Sequence, residues 1–184
     1  MNGLLMLVAY MAALNPTRTR LGVPEYSDGK ARMGPLASGA AIGLGALLAL
    51  AALARSLLDA LEISPETFRI AAGLVLVIVA ARMLFVSVPP AEPVPDGAGA
   101  ALWPVAYPRV ISPETITLVL TSAASDGVGA MLPGLVSATV VLVALGLIRT
   151  GSLSKRVLAN LGRVLAVALV LVGIWLALQG VREV

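Results

Sequence analysis

The sequence predicts an all-helical protein that crosses a membrane several times, in six segments arranged as two inverted repeats. Composition is the first reason: 59% of the 184 residues are hydrophobic and only 12% are charged. A soluble domain carries about 25% charged residues, and half that charge cannot cover its surface. The other two reasons are four long apolar stretches and two shorter ones that are broken at matching places.

Composition also excludes several classes of protein. The chain has no Cys and no His, which removes disulfides, thiolate nucleophiles and imidazole bases. The 13 basic residues barely exceed the 10 acidic ones, and no basic run interleaves with aromatic residues, so we expect no nucleic-acid partner. We expect no enzyme, no cofactor and no metal. Acid–base catalysis by carboxylates stays an alternative, although no spacing favours it.

Four stretches have nearly the length that a membrane helix needs, which is about 20 apolar residues. One charged residue, Arg82, interrupts the second of them. Because all four are rich in Leu, Val and Ala and are longer than any strand, helices are predicted. The four stretches are Gly34–Ala54, Ile70–Val88, Val128–Ile148 and Val164–Val181.

Two further apolar stretches are broken by proline. Met1–Leu14 is too short to span a bilayer at 1.5 Å per residue, and it is followed by Asn15-Pro16. Gly97–Ser125 contains Arg109 and then Ser112-Pro113. Each is predicted to be a discontinuous helix, or a helix followed by a re-entrant turn.

These segments divide one membrane domain, residues 1–184, into two halves. Residues 1–88 form the first repeat and residues 100–184 form the second. The Pro- and Gly-rich residues 89–99 connect the two repeats. Asn15-Pro16 and Ser112-Pro113 break the first segment of each half. Because three crossings per half reverse the direction of the chain, the repeats are predicted to be inverted, as in many transporters.

The basic residues predict the orientation. Nine of the 13 lie in or beside the odd-numbered loops, which follow the first, third and fifth segments, and three lie on the opposite side. By the positive-inside rule, the odd loops are cytoplasmic and both termini lie outside. We therefore expect a multi-pass protein of the cytoplasmic membrane.

The two breaks are the predicted substrate site. A helix that restarts at Pro16 or Pro113 frees backbone groups that lipid cannot satisfy, so the break must face protein or a wet cavity. If the breaks meet near the midplane, two helix N-termini, capped by Asn15 and Ser112, would bind a carboxylate, a phosphate or another anionic group. The alternative is a pair of proline kinks that merely pack.

Three polar residues near the second break are further candidates. Glu114 could bind a cation or carry a proton, and Arg109 could hold a substrate carboxylate or pair with Glu114. Both would instead be hydrated if the break lies near an interface. Thr117 shares a helix face with Thr121, so these hydroxyls either line a path or bond back to their own helix.

Two other features have mainly structural interpretations. Gly39 and Gly43 have the spacing that lets membrane helices approach closely, within the protomer or in a homodimer. Asp59, Glu62 and Glu66 lie on or beside a short outer loop and are interpreted as solvated charges, with a metal site as the less favoured alternative.

The motifs resemble those of a known family. The residues from Phe68 to Gly73 are similar to the FRIAGG helix of the MarC family, and Asn15-Pro16 resembles its first-helix Asn-Pro pair. The second half of the chain also resembles the family, which has a Pro-x-x-x-Gly-Pro-Gly-x-Ile-Thr stretch there. The matching residues of this chain are Pro108, Ser112-Pro113 and Ile116-Thr117. Ser112 stands where the family has Gly, and Glu114 where it has a small residue.

This resemblance implies a six-span protein of the LysE-like transporter superfamily, whose members export amino acids and other small solutes. The leading hypothesis is an exporter of small polar or zwitterionic solutes, with Glu114 as the candidate for proton coupling. The alternative is a non-transporting membrane scaffold or partner subunit in the handling of envelope lipids or glycolipids.

Overall fold

The computed structural model describes residues 3–17, 29–85, 102–147 and 155–184. These residues form helices and turns, without a strand among them. The predicted connector 89–99 lies outside the described residues. The helices are α1 Gly3–Leu14, α2 Gly29–Ala60, α3 Pro65–Phe85, α4 Leu102–Val110, α5 Pro113–Ser125, α6 Val128–Leu147 and α7 Lys155–Glu183.

The four predicted full segments are confirmed as helices long and apolar enough to cross a membrane. These candidate spans are Gly34–Ala60, Pro65–Phe85, Val128–Leu147 and Arg156–Glu183, and in each no more than 33% of the most apolar window is buried inside the molecule. A helix this apolar with most of its surface outward suits lipid rather than water as its surroundings. Helix α1 is apolar but shorter.

The bounds of three helices differ from those of the predicted apolar stretches. Helix α2 continues to Ala60, six residues past the last uncharged stretch, and α7 begins at Lys155 instead of Val164. Basic side chains do not end a helix, because their long stems lie along its surface while the charge reaches the polar region. Helix α3 begins at Pro65, where the Ser64 hydroxyl accepts a hydrogen bond from Thr67 N at 3.2 Å.

Both predicted breaks are present. Asn15 separates α1 from Pro16 and Thr17, which are again helical, and its φ of 37° is a left-handed conformation that Asn tolerates. Helix α4 ends at Val110, and α5 begins at Pro113. Helix α4 is a π-helix, which the sequence did not predict.

The most extensive packing joins α3 to α7, which run antiparallel. Helix α1 packs on α6 and α7, whereas α4 packs on α2. Helix α5 contacts α2 and α3 most extensively. The buried core contains Met6, Tyr10, Leu76, Leu118 and Leu135.

Glycines set the closest approach of α3 and α7. A Cβ on Gly73 would lie 2.7 Å from Ala177 N, and one on Gly173 would lie 2.8 Å from Gly73 O. No side chain fits at either position, so the two backbones touch. Close backbone approach through small residues is how helices gain packing energy in lipid, where the hydrophobic effect between helices is absent.

Candidate functional site

The break before α5 is closed by a reciprocal cap. Thr115 N donates to Ser112 Oγ at 3.3 Å, and Ser112 N donates to Thr115 Oγ1 at 2.9 Å. Thr115 therefore takes the role that Glu or Gln usually has in a capping box. Pro113 occupies the first turn of the helix, where its missing N–H costs nothing.

The same threonine also closes the end of α4. Its hydroxyl lies 2.6 Å from Val110 O and 2.9 Å from Ser112 O, and both residues are buried. With one proton, this hydroxyl donates to one of the two carbonyls at a time. Ser112 and Thr115 thus satisfy buried backbone groups that the discontinuity would otherwise leave without a hydrogen bond.

Among the described residues, Glu114 is the charged residue that the fold buries most clearly. It is 8% exposed and lies in the first turn of α5, where the positive end of the helix dipole stabilises a carboxylate. Arg109 lies in the last turn of α4 and is half-buried. The structure therefore places both predicted charges beside the break, and Glu114 inside the bundle.

The hydroxyls of α5 bond back to their own helix. Thr117 Oγ1 donates to Pro113 O at 2.7 Å, and Thr121 Oγ1 donates to Thr117 O at 2.7 Å. Of the two interpretations left open above, the structure favours back-bonding. Each oxygen still has a lone pair that could accept a hydrogen bond.

Asn15 is 2% exposed and is held by α7 and by its own segment. Its Nδ2 donates to Gly162 O at 3.2 Å, and its Oδ1 accepts from Thr17 Oγ1 at 2.9 Å. Met83 Sδ lies 4.0 Å from the same Nδ2. The amide thereby ties the first break to the N-terminal part of α7 and the C-terminal end of α3.

The contacts described for the two breaks lie on different helices. Those of Asn15 involve α3 and α7, whereas Val110, just before the second break, packs against Gly43 of α2. That the breaks meet in one site stays a prediction. The contact at Gly43 is of the packing type expected of the Gly39/Gly43 face, here within the chain.

Sequence reasoning missed a polar cavity at the opposite end of α5. Its volume is about 380 Å³, and it lies between the ends of α2, α3, α5 and α7. The Asp59 and Glu66 carboxylates, interpreted above as solvated charges, line it together with Arg55 and Arg69. The signal available in the sequence was the i, i+4 pair of opposite charges at Arg55 and Asp59.

Two contacts shape this cavity. Arg55 Nε donates to Ala124 O at 3.1 Å and so joins α2 to the last turn of α5. Arg69 forms an ion pair with Glu183, which joins α3 to the last turn of α7. Within the described parts of the chain, no three acidic, His or Cys side chains are placed to hold a metal ion.

The comparisons with known proteins add the family. The model of the MarC family integral membrane protein matches residues 23–184, which is most of the chain. The match includes the second break, whereas Asn15-Pro16 precedes it. None of the curated proteins and none of the solved structures matches the chain. The chain belongs to the MarC family of integral membrane proteins.

Proposed function

We propose that this protein carries small polar or zwitterionic solutes, such as amino acids, out of the cell across the cytoplasmic membrane. The observation that carries the proposal is the buried discontinuity at Ser112-Pro113-Glu114. A carboxylate that is 8% exposed inside an apolar bundle is costly, and such residues in membrane proteins mark substrate or proton paths. A purely structural kink would need only the Ser112–Thr115 cap.

The helix pairings support a transporter built from inverted repeats. Suppose that α1 corresponds to α4 and α5 together, that α2 corresponds to α6, and that α3 corresponds to α7. A two-fold axis then pairs α3 with α7 and α2 with α6. The same axis makes the α1–α6 contact equivalent to the α4–α2 contact. All four of these contacts are present.

The α3–α7 crossing supports the same relation at the level of residues. The Cβ of Gly73 would meet Gly173 and Ala177, and the Cβ of Gly173 would meet Gly73 and Val77. Each glycine thus faces the glycine of the other helix and the residue four positions after that second glycine. Reciprocal contacts of this kind are expected where a two-fold axis passes between two equivalent helices.

We further propose that both termini lie outside and that Glu114 couples transport to protons. The first proposal depends on the excess of basic residues beside the odd loops. The second depends on the burial of Glu114, because ionisable residues inside membrane bundles commonly belong to proton paths.

The test is flux in proteoliposomes that contain the purified protein and radiolabelled amino acids. We expect Asn15→Ala and Glu114→Gln to reduce flux at least tenfold while the protein elutes as a single species. The matched controls are Asn160→Ala and Glu62→Gln, because both residues are exposed. A pH gradient should drive accumulation in the wild type and fail to do so in Glu114→Gln.

Wild-type flux in both Asn15→Ala and Glu114→Gln would refute the role of the breaks. The absence of flux for any solute, together with a lipid or membrane protein that co-purifies, would favour the scaffold in envelope lipid or glycolipid handling.

A further inference from the structure

The cavity at the C-terminal end of α5 has the size and chemistry of a binding site. Its volume of about 380 Å³ falls in the range of roughly 300–1,000 Å³ that is usual for small-molecule pockets. Four helix ends form its walls, so it does not depend on one flexible loop. Its polar lining residues are Arg55, Asp59, Glu66, Arg69, Ser125 and Glu183.

The lining brings charges of both signs together. Arg55 and Asp59 lie one turn apart on the same face of α2, and Glu66 lies in the first turn of α3. Arg69 already has a partner in Glu183. In the described ranges, by contrast, no ion pair engages Arg55, Asp59 or Glu66, which leaves one cationic and two anionic groups for a ligand.

One hydroxyl in the cavity wall points to a ligand independently of the charges. Ser125 Oγ is buried, and no group in the described residues forms a hydrogen bond with it. A buried polar atom without a partner is uncommon in a native protein and requires an explanation. Ser125 follows Ala124, whose carbonyl accepts a hydrogen bond from Arg55, and both Ser125 and Arg55 line the cavity.

We propose that this cavity binds a small zwitterion that carries a carboxylate and an ammonium group. Arg55 and Ser125 hold the carboxylate, and Asp59 and Glu66 hold the ammonium group. A simple anion satisfies only Arg55, and a simple cation satisfies only Asp59 and Glu66, so a ligand with both charges uses all three groups. That this zwitterion is the transported solute rests on the proposed function, whereas its binding here does not.

The test is isothermal titration calorimetry of the full chain in detergent. Glycine, L-alanine and L-leucine are compared with acetate, methylammonium and phosphoethanolamine at equal concentrations. We expect at least one amino acid to bind at least tenfold more tightly than acetate or methylammonium, because each of these satisfies only half of the site. Tighter binding of phosphoethanolamine than of every amino acid would overturn the carboxylate assignment in favour of a lipid headgroup.

Three variants locate the binding. Arg55→Gln and Glu66→Gln should weaken the amino acid at least tenfold. Glu66→Gln is the more informative of these two variants, because the Glu66 side chain has no described partner whose loss could unfold the protein. Ser125→Ala should weaken binding severalfold without lowering the Tm, since its Oγ has no hydrogen bond to lose. Arg82→Gln is the matched control, since Arg82 is exposed at the other end of α3.

Binding and flux are measured on the same set of variants, which separates this proposal from the proposed function. Asn160→Ala, the exposed control of the flux test, should bind the amino acid within twofold of the wild type. If no amino acid binds, or if the cavity variants bind as the wild type does, the cavity proposal is wrong. Flux that fails while cavity binding persists would contradict the transporter proposal alone.

Discussion

The Gly73–Gly173 crossing should determine how tightly α3 and α7 pack, and Gly73→Ala is the smallest change that tests it. The added Cβ would lie 2.7 Å from Ala177 N and 2.9 Å from Ala177 Cβ, both of which belong to the partner helix. Main-chain atoms cannot rotate away as a flexible side chain can. The helices must therefore separate, and contacts along their whole interface weaken.

The expected change in the stability of Gly73→Ala is the difference between two opposing effects. Overpacking of this kind costs about 1–3 kcal/mol. Replacing Gly by Ala inside a helix returns about 1 kcal/mol. The net loss of stability is therefore roughly 0–2 kcal/mol. At about 2–4 °C per kcal/mol for a chain of this size, the Tm should fall by up to about 8 °C.

The measurement is the Tm of the detergent-purified protein, with Gly45→Ala as the matched control. Gly45 lies within α2, and a Cβ there would have nothing within 4 Å. Its substitution should leave the Tm unchanged or raise it. A Tm for Gly73→Ala equal to or above that of Gly45→Ala would refute the close backbone contact.

A double variant sharpens the test. Gly73→Ala and Gly173→Ala force the same two helices apart, so the second substitution should cost less than the first once the separation has occurred. Substitutions at sites in contact commonly deviate from additivity by 0.5–3 kcal/mol. Strict additivity would indicate that the two glycines do not share one crossing.

Two further predictions concern the second break and the glycine face. Ser112→Ala should lower stability by about 1 kcal/mol, because it removes a helix cap, whereas Ser112→Thr should retain most of the wild-type stability because it keeps the hydroxyl. Equal Tm values for the two variants would contradict the cap. Gly43→Leu should lower the Tm, since its Cβ would lie 2.6 Å from Val110 Cβ, and Gly45→Leu should not. A Gly43→Leu protein with wild-type Tm but altered oligomeric mass, measured by light scattering, would instead support the homodimer contact at Gly39/Gly43.

The sequence was sufficient to predict the four long helices and the two breaks, because both depend on local properties. A run of about 20 apolar residues has few alternatives to a membrane helix. Pro113 after a capping serine marks a helix start in any surroundings. The helix ends were less predictable, since hydropathy falls at Arg55 and at Arg163 although the backbone remains helical through both.

The contacts between segments could not be predicted in this way. Many registers of α3 against α7 would bury apolar surface equally well, and only the structure selects the one that places Gly73 on Gly173. The acceptor of the Asn15 amide, Gly162 O, is 147 residues away along the chain. The cavity depends on four helix ends that meet in space, so its charges look like solvated loop residues in the sequence.

The two candidate sites are linked by one helix, and this link decides how their variants are interpreted. Pro113 begins α5 at the buried break and Ser125 ends it at the cavity, which places the sites roughly 18 Å apart at 1.5 Å per residue. Substitutions at that distance normally act independently on stability.

In a transporter, however, flux requires the solute to pass both places. A cavity variant such as Glu66→Gln should then raise the solute concentration needed for half-maximal flux, whereas Glu114→Gln should lower the maximal rate. If both variants change the same kinetic parameter in the same proportion, the cavity and the break form a single site, and α5 has to move during transport to bring them together.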